Sequence, residues 1–356
     1  MPITTPEELR QHIELAIRVE LSTIPPYLYA MYSLEDLDSE PALLIRSIVT
    51  EEMLHAALAT NLLLAVGGEP DFRSTRYMPS YPMDLPHHVP PLRLNLEPSS
   101  EHLVREVFMR IEQPEARDAP AEPDAFETLG QFYHALESGL VELSSRHPLF
   151  DDPQVERQMS DPRFYQPVEM DSPDSGGLLE IYDLVSAVDA IEIIVHQGEG
   201  LSDERWSDPA HQELTHYHKL LEILEGRAPL GAVRAMPTNP RTKDYPPELQ
   251  TVSHLFNGIY RGLYLIMDRM FSGDSNQPKA VGALYLFMAD VMAQVARFLS
   301  SRRLENGFNA APTFELYEFS TESPLGELED LAERAADDFT EMTTVHEAIR
   351  GFNLIL

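Results

Sequence analysis

The chain contains no cysteine, which removes disulfide scaffolds, thiolate zinc sites, iron–sulfur clusters and cysteine nucleophiles together. Any metal it holds has to sit on oxygen and imidazole. Basic residues are also scarce: 26 lysines and arginines face 59 aspartates and glutamates, giving a formal charge of −33. Such a field repels phosphate backbones, so nucleic acid is not an expected partner, and solubility is reason enough for most of the acidity. Long uninterrupted apolar runs are missing too. The most apolar stretch, 281–299, is broken by Asp290, Gln294 and Arg297, which are costly at the centre of a bilayer, so it reads as a buried helix and no membrane span is expected. The opening Met-Pro-Ile-Thr-Thr-Pro-Glu-Glu lacks the basic start and apolar run of a secretory signal, and the expectation is a cytoplasmic protein.

Helical signals run through the rest of the sequence. Thr5, Pro6 and Glu8 form a capping start for a first helix reaching about Leu34, with a kink or short break expected at Pro25-Pro26. A second helix is expected from about Pro41 to the paired Gly67-Gly68. Repeated prolines between 69 and 100 read as a long ordered loop, with a short extended piece at 92–96. Further helices are expected at about 125–145, 178–198, 209–226, 251–271, 279–303 and 325–349, with a proline-rich linker between the fifth and sixth. The expected division is a metal-binding helical bundle over 1–226 with an inserted loop at 69–124, a linker at 227–250, and a C-terminal helical region, 251–356, packed on the bundle.

Carboxylates interrupt the apolar stripes at informative places. In the second helix Ile45, Ile48, Glu52, His55, Ala59, Leu62 and Val66 share one face, so Glu52 and His55 lie one turn apart among apolar residues. The Glu-x-x-His spacing recurs at Glu213 and His216, followed by Leu220 and Ile223. Glu20 falls on the stripe of the first helix. A stripe of Leu178, Ile181, Val185, Val188, Glu192, Val195 and Glu199 supplies two further candidates, of which Glu199 is preferred for its level and Glu192 is the reserve. Glu137 lies beside its helix's stripe rather than on it. No lysine or arginine is expected on these faces, so burying four carboxylates calls for another source of positive charge. Two divalent ions supply it, held by Glu20, Glu52, His55, Glu199, Glu213 and His216. One glutamate from each of two helices with Glu-x-x-His from two others is the ligand set of ferritin-like dimetal carboxylate bundles, and such oxygen-rich ligation suits iron first and manganese second.

At these residues the chain resembles the ferritin-like domain family named for iminophenyl-pyruvate dimer synthase, known from bisindole pigment pathways. The segments 19–27, with Glu20 and Pro25-Pro26, and 51–55, Glu51-Glu52-Met53-Leu54-His55, resemble its first two helix motifs. Tyr81-Pro82-Met83-Asp84-Leu85-Pro86-His87 is similar to its proline-rich loop. Gln197-Gly198-Glu199-Gly200, His216-Tyr217 and Ala311-Pro312-Thr313-Phe314-Glu315 resemble later motifs. The resemblance implies an all-α, ferritin-like four-helix bundle, here with long proline-rich crossover loops and additional C-terminal helices. The pigment-pathway members are much longer chains, so their substrate is not implied.

The resulting expectation is a dimetal, O2-dependent oxidoreductase acting on a small organic substrate. The alternative is an iron-binding or ferroxidase-type protein that handles metal alone. More than a hundred residues beyond the bundle favour the enzyme, since they can enclose an organic molecule. Oligomeric state stays open, a homodimer being one option.

Overall fold

A computed structural model of the chain describes residues 2–116, 119–166, 176–198, 214–273 and 277–352. Helix α1, Pro6–Ser33, begins at Thr5, whose side chain accepts from Glu8 N–H while the Glu8 carboxylate returns to the Thr5 N–H. It runs unbroken through Pro25 and Pro26, where a kink or break was expected. Pro26 cannot donate to the Ser22 carbonyl, and the Tyr81 hydroxyl donates to that carbonyl instead, at 2.6 Å. Helix α2, Glu40–Ala65, closes at Gly67, which takes φ +72°.

The segment read as an inserted loop is more structured than its prolines suggest. Met83–Asp84 (β1) pairs antiparallel with Arg93–Leu94 (β2). A further helix, α3, follows as Glu101–Leu103, a π-helical turn Val104–Phe108, and Met109–Ile111. Then come α4, Leu129–Ser144, α5, Leu184–Gly198, and α6, His216–Leu224. Thr128 and Thr215 cap α4 and α6 with their hydroxyls.

Two columns of the bundle are continuous and two are broken. Helices α1 and α2 form the long antiparallel pair. Beside α1, α4 packs on the N-terminal half, with Ile3 against Gly139, while α3 packs on the C-terminal half through the Tyr27–Phe108 ring pair. Beside α2, α5 lies along the half holding His55 and α6 along the half holding Ser47. In both broken columns the facing helix ends meet at the level of Glu20 and Glu52.

The C-terminal helices are α7, Pro247–Met270; α8, built from Gln277–Tyr285, a π-helical turn Leu286–Met292 and Ala293–Ser301; α9, Pro324–Asp338; and α10, Thr343–Arg350. Helix α7 packs on α8 and α9, and α8 touches α1. The proline-rich segment before α7 lies along the bundle: the Tyr29 hydroxyl donates to the Pro237 carbonyl, and the Arg234 guanidinium donates to the carbonyls of Leu34 and Glu35. One hydrophobic core runs through both regions. Helix α2 and the whole of α8 are each long and apolar enough to cross a membrane, but α2 spends that apolarity inside the fold, 89% of its most apolar window being buried.

Candidate metal centre

Two triads of ligand-type side chains lie side by side in the bundle. Glu20, Glu52 and His55 form one; Glu52, Glu112 and His216 form the other. In each, one atom per residue lies within 4.8 Å of the others, and all five residues are buried. Glu52 belongs to both. His55 Nδ1 is 3.4 Å from Glu20 and 3.7 Å from Glu52, while His216 Nδ1 is 3.1 Å from Glu52 and 3.2 Å from Glu112. The two imidazole rings are 5.4 Å apart between centroids.

Outer partners fix this arrangement. His55 Nε2 is 2.9 Å from Gln197 Oε1, and His216 Nε2 is 3.0 Å from Glu51 Oε2. An oxygen acceptor on each Nε2 holds a proton there, so Nδ1, which faces the carboxylates, is the nitrogen a metal ion would take in exchange for its proton. The hydroxyl of Tyr133 donates to Glu20, that of Tyr27 to Glu112 Oε1 at 2.5 Å, and that of Thr23 to Glu52. The Lys219 ammonium, fully buried, donates to Glu51 Oε2 at 2.5 Å and to Ser47 Oγ at 2.6 Å. Lys219 corrects the expectation that no basic residue lies on these faces: it follows His216 by three residues and therefore shares its face.

The donor set fits cations. Glu20, Glu51, Glu52 and Glu112 are four buried carboxylates, and Lys219 is the one lysine or arginine bonded to any of them among the described residues. Burial pushes the Glu52 carboxyl up to about 7, and repulsion from Glu20 adds to the shift. Burial alone would lower both imidazoles, yet Glu20 raises His55 and Glu112 raises His216 well above the ordinary histidine value. Burial raises Glu51 as well, but Lys219 and His216 outweigh it and hold that carboxyl below its usual range. Without metal, protons fill the role of the missing positive charge. Each triad can hold one metal ion, displacing those protons.

A cavity of about 20 Å³ opens beside the triads, lined by Glu20, Glu52, His55 and Glu112 and by Gly130, Tyr133, Ile194 and Gly198 from the broken columns. It has room for about one water-sized molecule.

Of the residues singled out in the sequence, the structure brings Glu20, Glu52, His55 and His216 together. Glu199 and Glu213 lie outside the described residues. Glu192 is exposed, and the expected stripe on α5 is displaced: its buried residues are Ser186, Ala187, Ala190, Ile191, Ile194 and Gln197, whereas Val185 is 67% exposed. Val185, Val188 and Val195 put apolar residues beside Glu192 as well, while the buried face carries Ser186 and Gln197, so an apolar stripe can be drawn along the wrong face. Glu112 was missed because the surrounding prolines marked its segment as loop. The available signal was the spacing of Val104, Phe108 and Ile111-Glu112, a short helical face ending in a carboxylate.

The Gln197 contact yields a direct expectation. Gln197→Ala removes the acceptor that orients His55 and should weaken metal binding by about 10–100-fold while leaving the fold intact. Competition with a chelator of known affinity measures it; unchanged affinity would assign Gln197 a packing role only.

The pKa directions give a second. Groups whose folded pKa is raised contribute stability below their unfolded pKa and lose it as pH rises through the folded value. Glu52, moving from 4.5 to about 7, therefore costs the metal-free protein stability between about pH 5 and pH 8, and His55 and His216 act in the same direction. His88 and His218, lowered by burial, act oppositely. Glu52→Gln removes the Glu52 titration and the part of the His55 and His216 shifts that Glu52 causes, all in the same direction, so the metal-free variant should lose less stability than wild type over that window, by about a few kcal/mol. Parallel Tm–pH curves would contradict the assignment.

Comparison with known proteins identifies the family and the fold. The ferritin-like family model matches residues 13–225, more than half of the chain. A solved ferritin-like protein from Caulobacter vibrioides superposes with a TM-score of 0.58 at 26% identity, covering 81% of this chain and 96% of that one. Among curated proteins, the 2-imino-3-(indol-3-yl)propanoate dimerase of Chromobacterium violaceum is 24% identical over 76% of this chain and 29% of its own length. The dichlorochromopyrrolate synthase of Lentzea aerocolonigenes is 25% identical over 89% of this chain and 36% of its own. The chain thus spans about a third of the curated relatives it matches.

Proposed function

Because the chain belongs to the ferritin-like family, we propose that its two triads hold a pair of redox-active metal ions, iron first and manganese second, and that it is an O2-dependent oxidoreductase acting on a small organic metabolite. The observation that carries this reading is that Glu52 belongs to both triads, so two groups able to hold an ion would have one carboxylate in common. The metals, when bound, supply the electrons that reduce O2. The protein does the rest. Glu20 and Glu112 would each serve one ion and are oriented by Tyr133 and Tyr27; His55 and His216 would offer Nδ1 because Gln197 and Glu51 hold Nε2; Lys219 offsets the outer charge of Glu51. Glu213, three residues before His216, is assigned as a further ligand by its spacing, and Glu199 is retained as a candidate, with Glu192 set aside because it faces solvent.

Two relatives named as a dimerase and a synthase support an enzyme with an organic substrate, one of secondary metabolism. The cavity at the triads, with room for about one water-sized molecule, suits a reactant the size of O2 rather than the organic substrate. The test is elemental analysis followed by anaerobic Fe(II) loading and exposure to O2. About two metals per chain and rapid O2 uptake that reaches sustained turnover only with an added organic substrate support the proposal. Uptake that continues on Fe(II) alone assigns a metal-handling protein, and absence of metal binding removes both readings.

A further inference from the structure

A second cavity, of about 410 Å³, lies between the α1–α2 pair and helices α7 and α8. It falls within the roughly 300–1,000 Å³ typical of ligand sites. It shares no lining residue with the cavity at the triads: Leu21, Met53 and Ala56 face it, while their neighbours Glu20, Glu52 and His55 face the metal centre. Successive helical residues point about 100° apart, so the same two helices present different faces to the two spaces.

The wall is built to adapt. Met31, Met53, Met267, Met270, Met288 and Met292 line it, nearly half of the chain's 14 methionines, and unbranched thioethers adjust to ligands of varied outline. Met288 and Met292 stand on the π-helical turn of α8, a distortion that a purely structural helix has little reason to keep. The charge is unexpected. In a chain of formal charge −33, no carboxylate lines this cavity among the described residues, whereas Arg46 and Arg297 do, and neither pairs with a carboxylate among them.

We propose that this cavity is a second ligand site, independent of the metal centre, for an elongated apolar molecule ending in a carboxylate or comparable anion. The apolar body lies among the methionines and the anionic end meets Arg46 and Arg297.

The test uses the full chain, with and without bound metal, and two probes of equal length: decanoate and decyltrimethylammonium, each below its micelle concentration. Displacement of 1-anilinonaphthalene-8-sulfonate fluorescence reads binding. The net charge of the protein biases any unspecific association toward the cation, so a preference for the carboxylate has to be local. Expected are one probe site per chain, decanoate bound at least tenfold more tightly than the ammonium, and the same result without metal. Arg46→Ala combined with Arg297→Ala should abolish that preference. Ala289→Trp, placed where the cavity wall is exposed, should remove binding of both probes with the circular dichroism and Tm preserved. Absence of stoichiometric binding, equal or tighter binding of the ammonium, or wild-type decanoate affinity in both variants would overturn the proposal.

Discussion

Glu52→Ala empties the metal centre: bound metal should fall from about two ions per chain to less than one, the largest single-residue effect expected in this protein. The reason is topological. Glu52 is the one residue belonging to both triads, so its loss removes a donor from each ion position and the carboxylate between them. Removing one donor from a site commonly costs orders of magnitude in affinity, and here both positions lose one at once. Glu112→Ala touches only the His216 triad and should leave about one ion, bound by Glu20, Glu52 and His55. Glu137→Ala, on a half-buried residue outside both triads, should change nothing. Elemental analysis of the three variants beside wild type separates these cases. Two ions retained in Glu52→Ala would show that the glutamate is structural.

Lys219→Ala should destabilise the fold by about 3–5 kcal/mol, because it leaves the Glu51 carboxylate buried without its ammonium. For a chain of this size that corresponds to a Tm lower by roughly 5 °C. The double variant Glu51→Gln with Lys219→Met should recover most of the loss: both charges go, and the glutamine oxygen can still accept from His216 Nε2. A Lys219→Ala protein melting like wild type would mean that Glu51 is neutral when folded.

Much of the centre is legible in the sequence because buried carboxylates are rare enough to stand out from an apolar stripe. Glu20, Glu52 and His55 sit on long, regular helices whose inward faces follow from periodicity, and His216 starts a helix whose cap, Thr215, directly precedes it. Glu112 is hidden because its helix is short, contains a π-helical turn that shifts the period, and ends at the carboxylate. Glu192 misleads for a different reason: Val185, Val188 and Val195 lie beside it while the buried face of α5 carries Ser186 and Gln197, so an apolar stripe can be drawn along the wrong face. Lys219 escapes because a lysine three residues past a histidine on an amphipathic helix usually reaches solvent, and only the tertiary position of Glu51 makes its burial tolerable. Likewise the carbonyl of Ser22, left free by Pro26, is met by Tyr81, a partner far along the chain that the local sequence does not announce.

The two broken columns give the architecture a latent freedom. Since α3 yields to α4, and α5 to α6, beside Glu20 and Glu52, four helix ends lie at the height of the chemistry, while the distant ends of the helices stay committed to packing. Changes at these helix ends that keep Glu112, the buried Phe126 and the candidate ligands Glu199 and Glu213 would recast what surrounds the reacting molecule while the far ends of the helices hold the core. A lineage using this scaffold could diversify its substrates by editing those ends, and an engineer could do the same.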